Sequence, residues 1–92
     1  MKFISVYKFL PGAVPAAAKQ FLASGAPASE GSTILGRWHF ADLSGGVVLV
    51  ESDNATSAYD TAAQWADTIT MTTTPVLEDE DIGPILAKYF GG

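Results

Sequence analysis

The run Thr33-Ile-Leu-Gly-Arg-Trp-His-Phe-Ala-Asp42, continued past Leu43 by Ser44-Gly-Gly-Val-Val-Leu-Val-Glu51, decides the fold. Its first half reads as a β-strand from about residue 33 to 42. That strand carries the only histidine, the only arginine and one of the two tryptophans of the chain. Successive strand side chains point to opposite faces, so Arg37 and His39 share one face and Gly36, Trp38 and Phe40 the other. Ser44-Gly45-Gly46 is expected to supply the positive-φ positions of a tight hairpin. Val47 to Glu51 is a nearly continuous aliphatic run, the pattern of a central strand covered on both faces.

A strand–helix unit lies on either side of this hairpin. Residues 2–10 alternate, with Phe3, Ser5, Tyr7 and Phe9 on one face and Ile4, Val6 and Lys8 on the other. Pro11-Gly12 ends that strand, and Pro15 suits the first turn of a helix. Val14, Ala17, Ala18, Phe21 and Leu22 then form one apolar stripe that stops at Gly25. Residues 25–32 are too rich in glycine and proline for regular structure and read as a flexible loop. After the hairpin, Ser52-Asp53-Asn54 offers helix caps. Ala55, Ala58, Tyr59, Ala62, Trp65 and Ala66 follow at helical spacing and are expected to form the buried side of a second helix. The β-branched stretch 69–77 favours a strand, which Pro75 confines to a sheet edge. Glu78-Asp-Glu-Asp81 leads into a last helix through Ile82, Ile85, Leu86 and Tyr89, with its carboxylates at the positive end of the dipole.

The order β-α-β-β-α-β with a trailing helix predicts one α+β domain over residues 1–92. Its ferredoxin-like antiparallel sheet carries two helices on one face. A chain of 92 residues has a thin core, and with no cysteine it has neither disulfides nor thiolate metal sites to reinforce it. The sheet face opposite the helices is too apolar to meet water, so a two-fold homodimer is expected.

Ten carboxylates against five basic residues give a net charge of −5. Such a chain is repelled by phosphate backbones and by anionic lipid, so neither a nucleic-acid nor a membrane partner is expected. The N-terminal residues alternate rather than forming the apolar run of a signal peptide, and no stretch is long enough to cross a bilayer. A cytoplasmic location is the expectation. Asn54-Ala55-Thr56 matches a glycosylation sequon, but without a secretion signal it reads as a helix cap.

The chain resembles a small bacterial family of unknown function. The resemblance is carried by Tyr7-Lys8-Phe9 before Pro11-Gly12, by Gly36-Arg37-Trp38-His39, by the aliphatic strand ending in Glu51, and by Gln64-Trp65 before the Thr-rich strand closing on Pro75-Val76. That family is similar to the dimeric α+β barrel superfamily, whose subunits pack sheet against sheet. The superfamily includes cofactor-independent monooxygenases, muconolactone isomerase, haem-degrading enzymes and small-ligand regulators. Their catalytic residues differ, so the resemblance implies the fold and the dimer and assigns no reaction.

Candidate chemistry therefore rests on the residues. A histidine titrates near neutrality, so His39 suits a general base, or equally a hydrogen-bonded strand residue at a subunit contact. A zinc site is not expected, because no second His or any Cys completes it, and no cofactor is called for. Arg37 suits bidentate capture of a carboxylate or enolate oxygen, or an ion pair within the chain, with Glu51 the obvious partner. Tyr7 and Ser5 would place a phenol and a hydroxyl in an apolar cavity if their face lines one. Trp38 and Trp65 are either ligand-stacking platforms or core packing. The acidic run 78–81 lacks the alternating ligands and central glycine of a calcium loop. No nucleotide-binding glycine pattern, nucleophile elbow or Cys–His pair is present.

Three functions follow: a protein whose dimeric barrel, enclosed between the two subunits, holds an apolar or aromatic small molecule, a cofactor-independent monooxygenase-like or isomerase-like enzyme using His39, Arg37 and Tyr7, or a structural dimer with a filled interior. Catalysis is left open. The first two require a cavity touching Tyr7 or His39. A site for Arg37 and His39 was expected if they face the dimer interior, and packing if Trp38 and Phe40 do.

Overall fold

The computed structural model describes residues 1–92. The elements in chain order are β1 (Lys2–Phe9), α1 (Val14–Ser24), β2 (Ser32–His39), β3 (Gly45–Ser52), α2 (Thr56–Gln64), β4 (Ile69–Val76) and α3 (Asp79–Phe90). The four strands form one antiparallel sheet in the order β2-β3-β1-β4, the ferredoxin-like α+β arrangement. Pro75 sits on the edge strand β4, where its missing N–H removes no ladder bond to a further strand.

The faces of β1 divide as alternation requires. Phe3, Ser5 and Tyr7 are buried on the side of α1 and α2, whereas Ile4 and Val6 are exposed on the other. The aliphatic strand β3 lies inside the sheet, but within one chain only its helix side is covered. α1 starts with Pro15 in its first turn and closes on Gly25 in the left-handed conformation, whose N–H bonds the Phe21 carbonyl at 2.7 Å. α2 begins one residue later than the cap-rich run suggests, and of its expected buried side only Ala58, Ala62 and Trp65 are half-buried, because Ala55, Tyr59 and Ala66 point to solvent. Its N-cap is Ala55, and Asn54 Oδ1 accepts the Thr56 N–H at 2.9 Å.

Three expectations are corrected. The hairpin does not take its positive φ from Gly45 or Gly46, which belong to β3. The turn is Phe40–Ser44 with Leu43 at φ 67°, and Asp42 Oδ1 accepts both the N–H (3.0 Å) and hydroxyl (2.6 Å) of Ser44. A side chain on either glycine has no room: a Cβ on Gly45 would strike the Tyr7 carbonyl. The loop 25–32 is irregular yet tied down, because buried Ser29 shares a 2.6 Å hydrogen bond with Thr61 of α2 and accepts the Ser32 hydroxyl at 2.6 Å.

The third correction concerns β2. Its register slips between Ile34, opposite Val50, and Gly36, opposite Leu49, so Leu35 is an extra residue in a β-bulge. Strict alternation puts Ile34 on the face of Gly36 and Trp38. The bulge instead puts Ile34, Arg37 and His39 together on the helix side.

Candidate functional site

Between the sheet and the two helices lies a cavity of about 390 Å³ with mostly apolar walls, within the range of small-molecule sites. Phe3, Ser5, Tyr7 and Phe9 of β1 form its floor, α1 contributes Ala17 and Phe21, and α2 contributes Ala58 and Thr61. Small alanines on the helix faces hold the volume open, since they reach only a short way toward the sheet. The site therefore faces the helices of its own chain and not the bare side of the sheet.

Polar groups converge at the β2 edge. The Tyr7 hydroxyl and His39 Nδ1 share a hydrogen bond of 2.6 Å. These residues stand on β1 and β2 with β3 between them, and Gly46 is opposite both Tyr7 and His39 in the two ladders. The bond thus passes over a strand position that has no side chain. A Cβ on Gly46 would lie 2.5 Å from the Tyr7 hydroxyl and 2.7 Å from its Cε1. With the phenol donating, Nδ1 accepts and the imidazole proton sits on Nε2. Burial pushes the Tyr7 phenol above its ordinary value, and the Arg37 charge opposes that rise.

Arg37 does not pair with Glu51, which instead binds the N-terminal ammonium at 3.2 Å. No carboxylate lies within ion-pairing distance of Arg37. Its Nη1 donates to the Ala26 carbonyl at 2.7 Å and its Nη2 to that of Gly25 at 3.4 Å. These carbonyls follow the C-terminus of α1, the negative end of the helix dipole. The guanidinium carbon stands 5.1 Å from the centroid of the Phe21 ring, and the His39 ring meets that ring edge-on at 5.7 Å. Phe21 thereby fixes both polar residues from α1.

Of the residues singled out in the sequence, Ser5, Tyr7, Arg37, His39 and Trp65 all border this cavity. Ser5 Oγ shares a 2.8 Å hydrogen bond with Thr73 Oγ1 on the floor. Trp38 is not brought together with them. It lies on the opposite face, 58% exposed, with its ring laid over Gly36. Phe21 and Gly46 escaped the sequence reading as site residues. Phe21 was legible only as helix stripe, and Gly46 only as a turn residue.

The fold and cavity define a class: a small ferredoxin-like α+β domain with an apolar chamber between sheet and helices, polar at one edge. Residues 1–90 match a family described as a domain of unknown function (DUF3303), and the chain belongs to that family. No curated protein and no solved structure matches it.

Proposed function

We propose that this protein binds an apolar or aromatic small molecule in the cavity between its sheet and helices. The observation that carries the reading is the 390 Å³ apolar chamber with Tyr7, His39 and Arg37 gathered at one edge. Ligand sites are built this way, with greasy walls for affinity and a few polar groups for orientation. The same volume speaks against a dimer whose only role is structural. N-phenyl-1-naphthylamine, a neutral dye that brightens in apolar surroundings, tests the reading. It should bind the wild-type chain and accept excitation from Trp65 on the cavity wall. Ala58→Trp, which fills the chamber, should abolish this. A dye that stays dark on wild type, or binds the filled variant equally well, would overturn the reading.

The Tyr7–His39 hydrogen bond favours a second, enzymatic reading. Here a bound enol or phenol gives its proton to the Tyr7 oxygen as the Tyr7 proton passes to His39 Nδ1, while Arg37 holds the developing oxyanion. Turnover of phenolic or lactone substrates that is lost in His39→Ala would support it, and turnover unchanged by that substitution would remove His39 from any mechanism.

The working unit is proposed to be a homodimer of the α+β barrel type. The chain exposes 6414 Å², against about 5,100 Å² for a compact monomer of this mass. The excess of about 1,300 Å² exceeds the roughly 800 Å² that one partner contributes to an ordinary interface. Its radius of gyration, 15.9 Å, likewise exceeds the about 12 Å of a compact 92-residue domain. Two apolar features stand out on this surface. The bare sheet face exposes Ile4, Val6, Trp38 and Phe40, and α3 exposes Ile82, Ile85, Leu86 and Tyr89 along one stripe. α3 has twelve residues, none of them buried, and contains Gly83-Pro84. A helix so short and so interrupted is marginal without a covering surface. A second copy supplies that surface for both features.

A further inference from the structure

Arg37 is the only formally charged side chain on the cavity wall, and none of the ten carboxylates of this acidic chain lines it. A half-buried guanidinium ordinarily recruits a carboxylate, because an unpaired buried charge is costly. Here the counter-charge is only the end of one helix, equivalent to about half a negative charge. Two of the five guanidinium N–H donors account for the carbonyls of Ala26 and Gly25, which leaves others free. The charge also reaches inward, since it lowers the Tyr7 phenol against the effect of burial.

From this imbalance we infer that the cavity selects monoanions: an apolar or aromatic body bearing one carboxylate or equivalent oxyanion, seated on Arg37 beside the Tyr7–His39 pair. The inference rests on the small-molecule reading and narrows it. A ligand of this class completes the ion pair that the chain leaves open, and its apolar body fills the chamber between Phe21, Phe3 and Ala58. The Leu35 bulge belongs to the same design, because it turns Arg37 from the bare face to the chamber. A dianion is disfavoured, since a second negative charge would meet no second cation on these walls.

The test uses three probes of one shape and different charge: 2-naphthoate, 2-naphthamide and 2-naphthylmethylammonium, titrated calorimetrically into the wild-type protein at low salt. The expected order is anion, then amide, then cation, with naphthoate at least about tenfold tighter than the amide, the scale of one charge-assisted hydrogen bond. Arg37→Gln keeps an amide donor for the α1 carbonyls and should erase that gap, weakening naphthoate far more than naphthamide. If Arg37→Gln does not fold, the wild-type order decides alone. Naphthamide binding as tightly as naphthoate would overturn the anion selectivity and leave the small-molecule reading standing. Failure of all three probes would overturn both. A gap that survives Arg37→Gln in the folded variant would place the anion elsewhere and equally refute the assignment.

Discussion

Gly46→Ala is the most informative single-atom-scale perturbation of this fold, because the new methyl enters the one strand position over which Tyr7 and His39 meet. The added Cβ would lie 2.5 Å from the Tyr7 hydroxyl and 2.7 Å from Tyr7 Cε1, and would also strike the Trp38 carbonyl. The ring can swing away, but the Trp38 carbonyl is backbone and cannot. Overpacking of this kind costs about 1–3 kcal/mol, and the displaced Tyr7–His39 bond adds about 1 kcal/mol. Removing a strand glycine offsets about 0.5–1 kcal/mol through the unfolded chain. The net expectation is about 1–3 kcal/mol of destabilisation. That corresponds to roughly 5–20 °C in Tm for a domain of this size. Thermal melts followed by circular dichroism at one fixed protein concentration measure it. In a Tyr7→Ala background the Gly46→Ala cost should shrink, because only the Trp38 carbonyl then opposes the methyl. A Gly46→Ala protein as stable as wild type, or a cost unchanged by Tyr7→Ala, would refute the account of how the pair is accommodated.

Sedimentation velocity at tens of micromolar should show a dimer, and Val6→Glu on the bare sheet face should convert it to monomer. A wild-type monomer would remove the barrel-type assembly. Alkaline difference spectroscopy should show an ionisation above the ordinary tyrosine value of 10.0 that vanishes in Tyr7→Phe. Because the fold favours the neutral phenol, the stability tied to Tyr7 is complete below that pH and is lost as pH rises through the folded value. At the acid end, Glu78 is hydrogen-bonded and ion-paired to Lys2, which holds its carboxyl below the ordinary 4.5. Its contribution is present above that pH and lost as pH falls through the depressed folded value. Carboxyl-carbon NMR titration should show Glu78 moving up in Lys2→Met, and an unmoved value would sever Lys2 from the anchoring of α3.

The backbone plan was legible because this chain is locally consistent. Period-2 alternation in β1, the helical stripe after Pro15, the aliphatic β3 and Pro75 on an edge strand each name their place, and together they admit one topology. The site was legible as residue types and not as geometry. Arg37, His39 and Tyr7 stood out by chemistry, yet their juxtaposition depends on strand order, which brings β1 and β2 to either side of β3. The partner of Arg37 was misread for the same reason. Glu51 pairs with the N-terminus, while the carbonyls at the end of α1 reach Arg37 through a loop whose path no periodicity encodes. The bulge at Leu35 has no signature in the residues. Leucine is an ordinary strand residue, and only the pairing with Val50 and Leu49 reveals the slip.

Sequence alone posed the strand of Arg37 and His39 as a choice, with either the polar pair or the aromatics turned toward the dimer interior. In the structure Arg37 and His39 face the helices of their own chain and not the bare side of the sheet, so the two faces differ in what covers them. The face with Arg37 and His39 lies toward the helices of its own chain around the cavity, and the face with Trp38 and Phe40 is bare. One bulge and one glycine permit the division. Leu35 shifts the phase so that Ile34, Arg37 and His39 face the chamber together, and Gly46 clears the path between Tyr7 and His39. The two faces are therefore separable by mutation. Val6→Glu acts on assembly and leaves the chamber walls intact, whereas Ala58→Trp fills the chamber and leaves the bare face intact. Ligand binding that vanished in the Val6→Glu monomer would show that assembly is needed to hold α1 and α2 over the sheet, and so would couple the two faces through the strands they share.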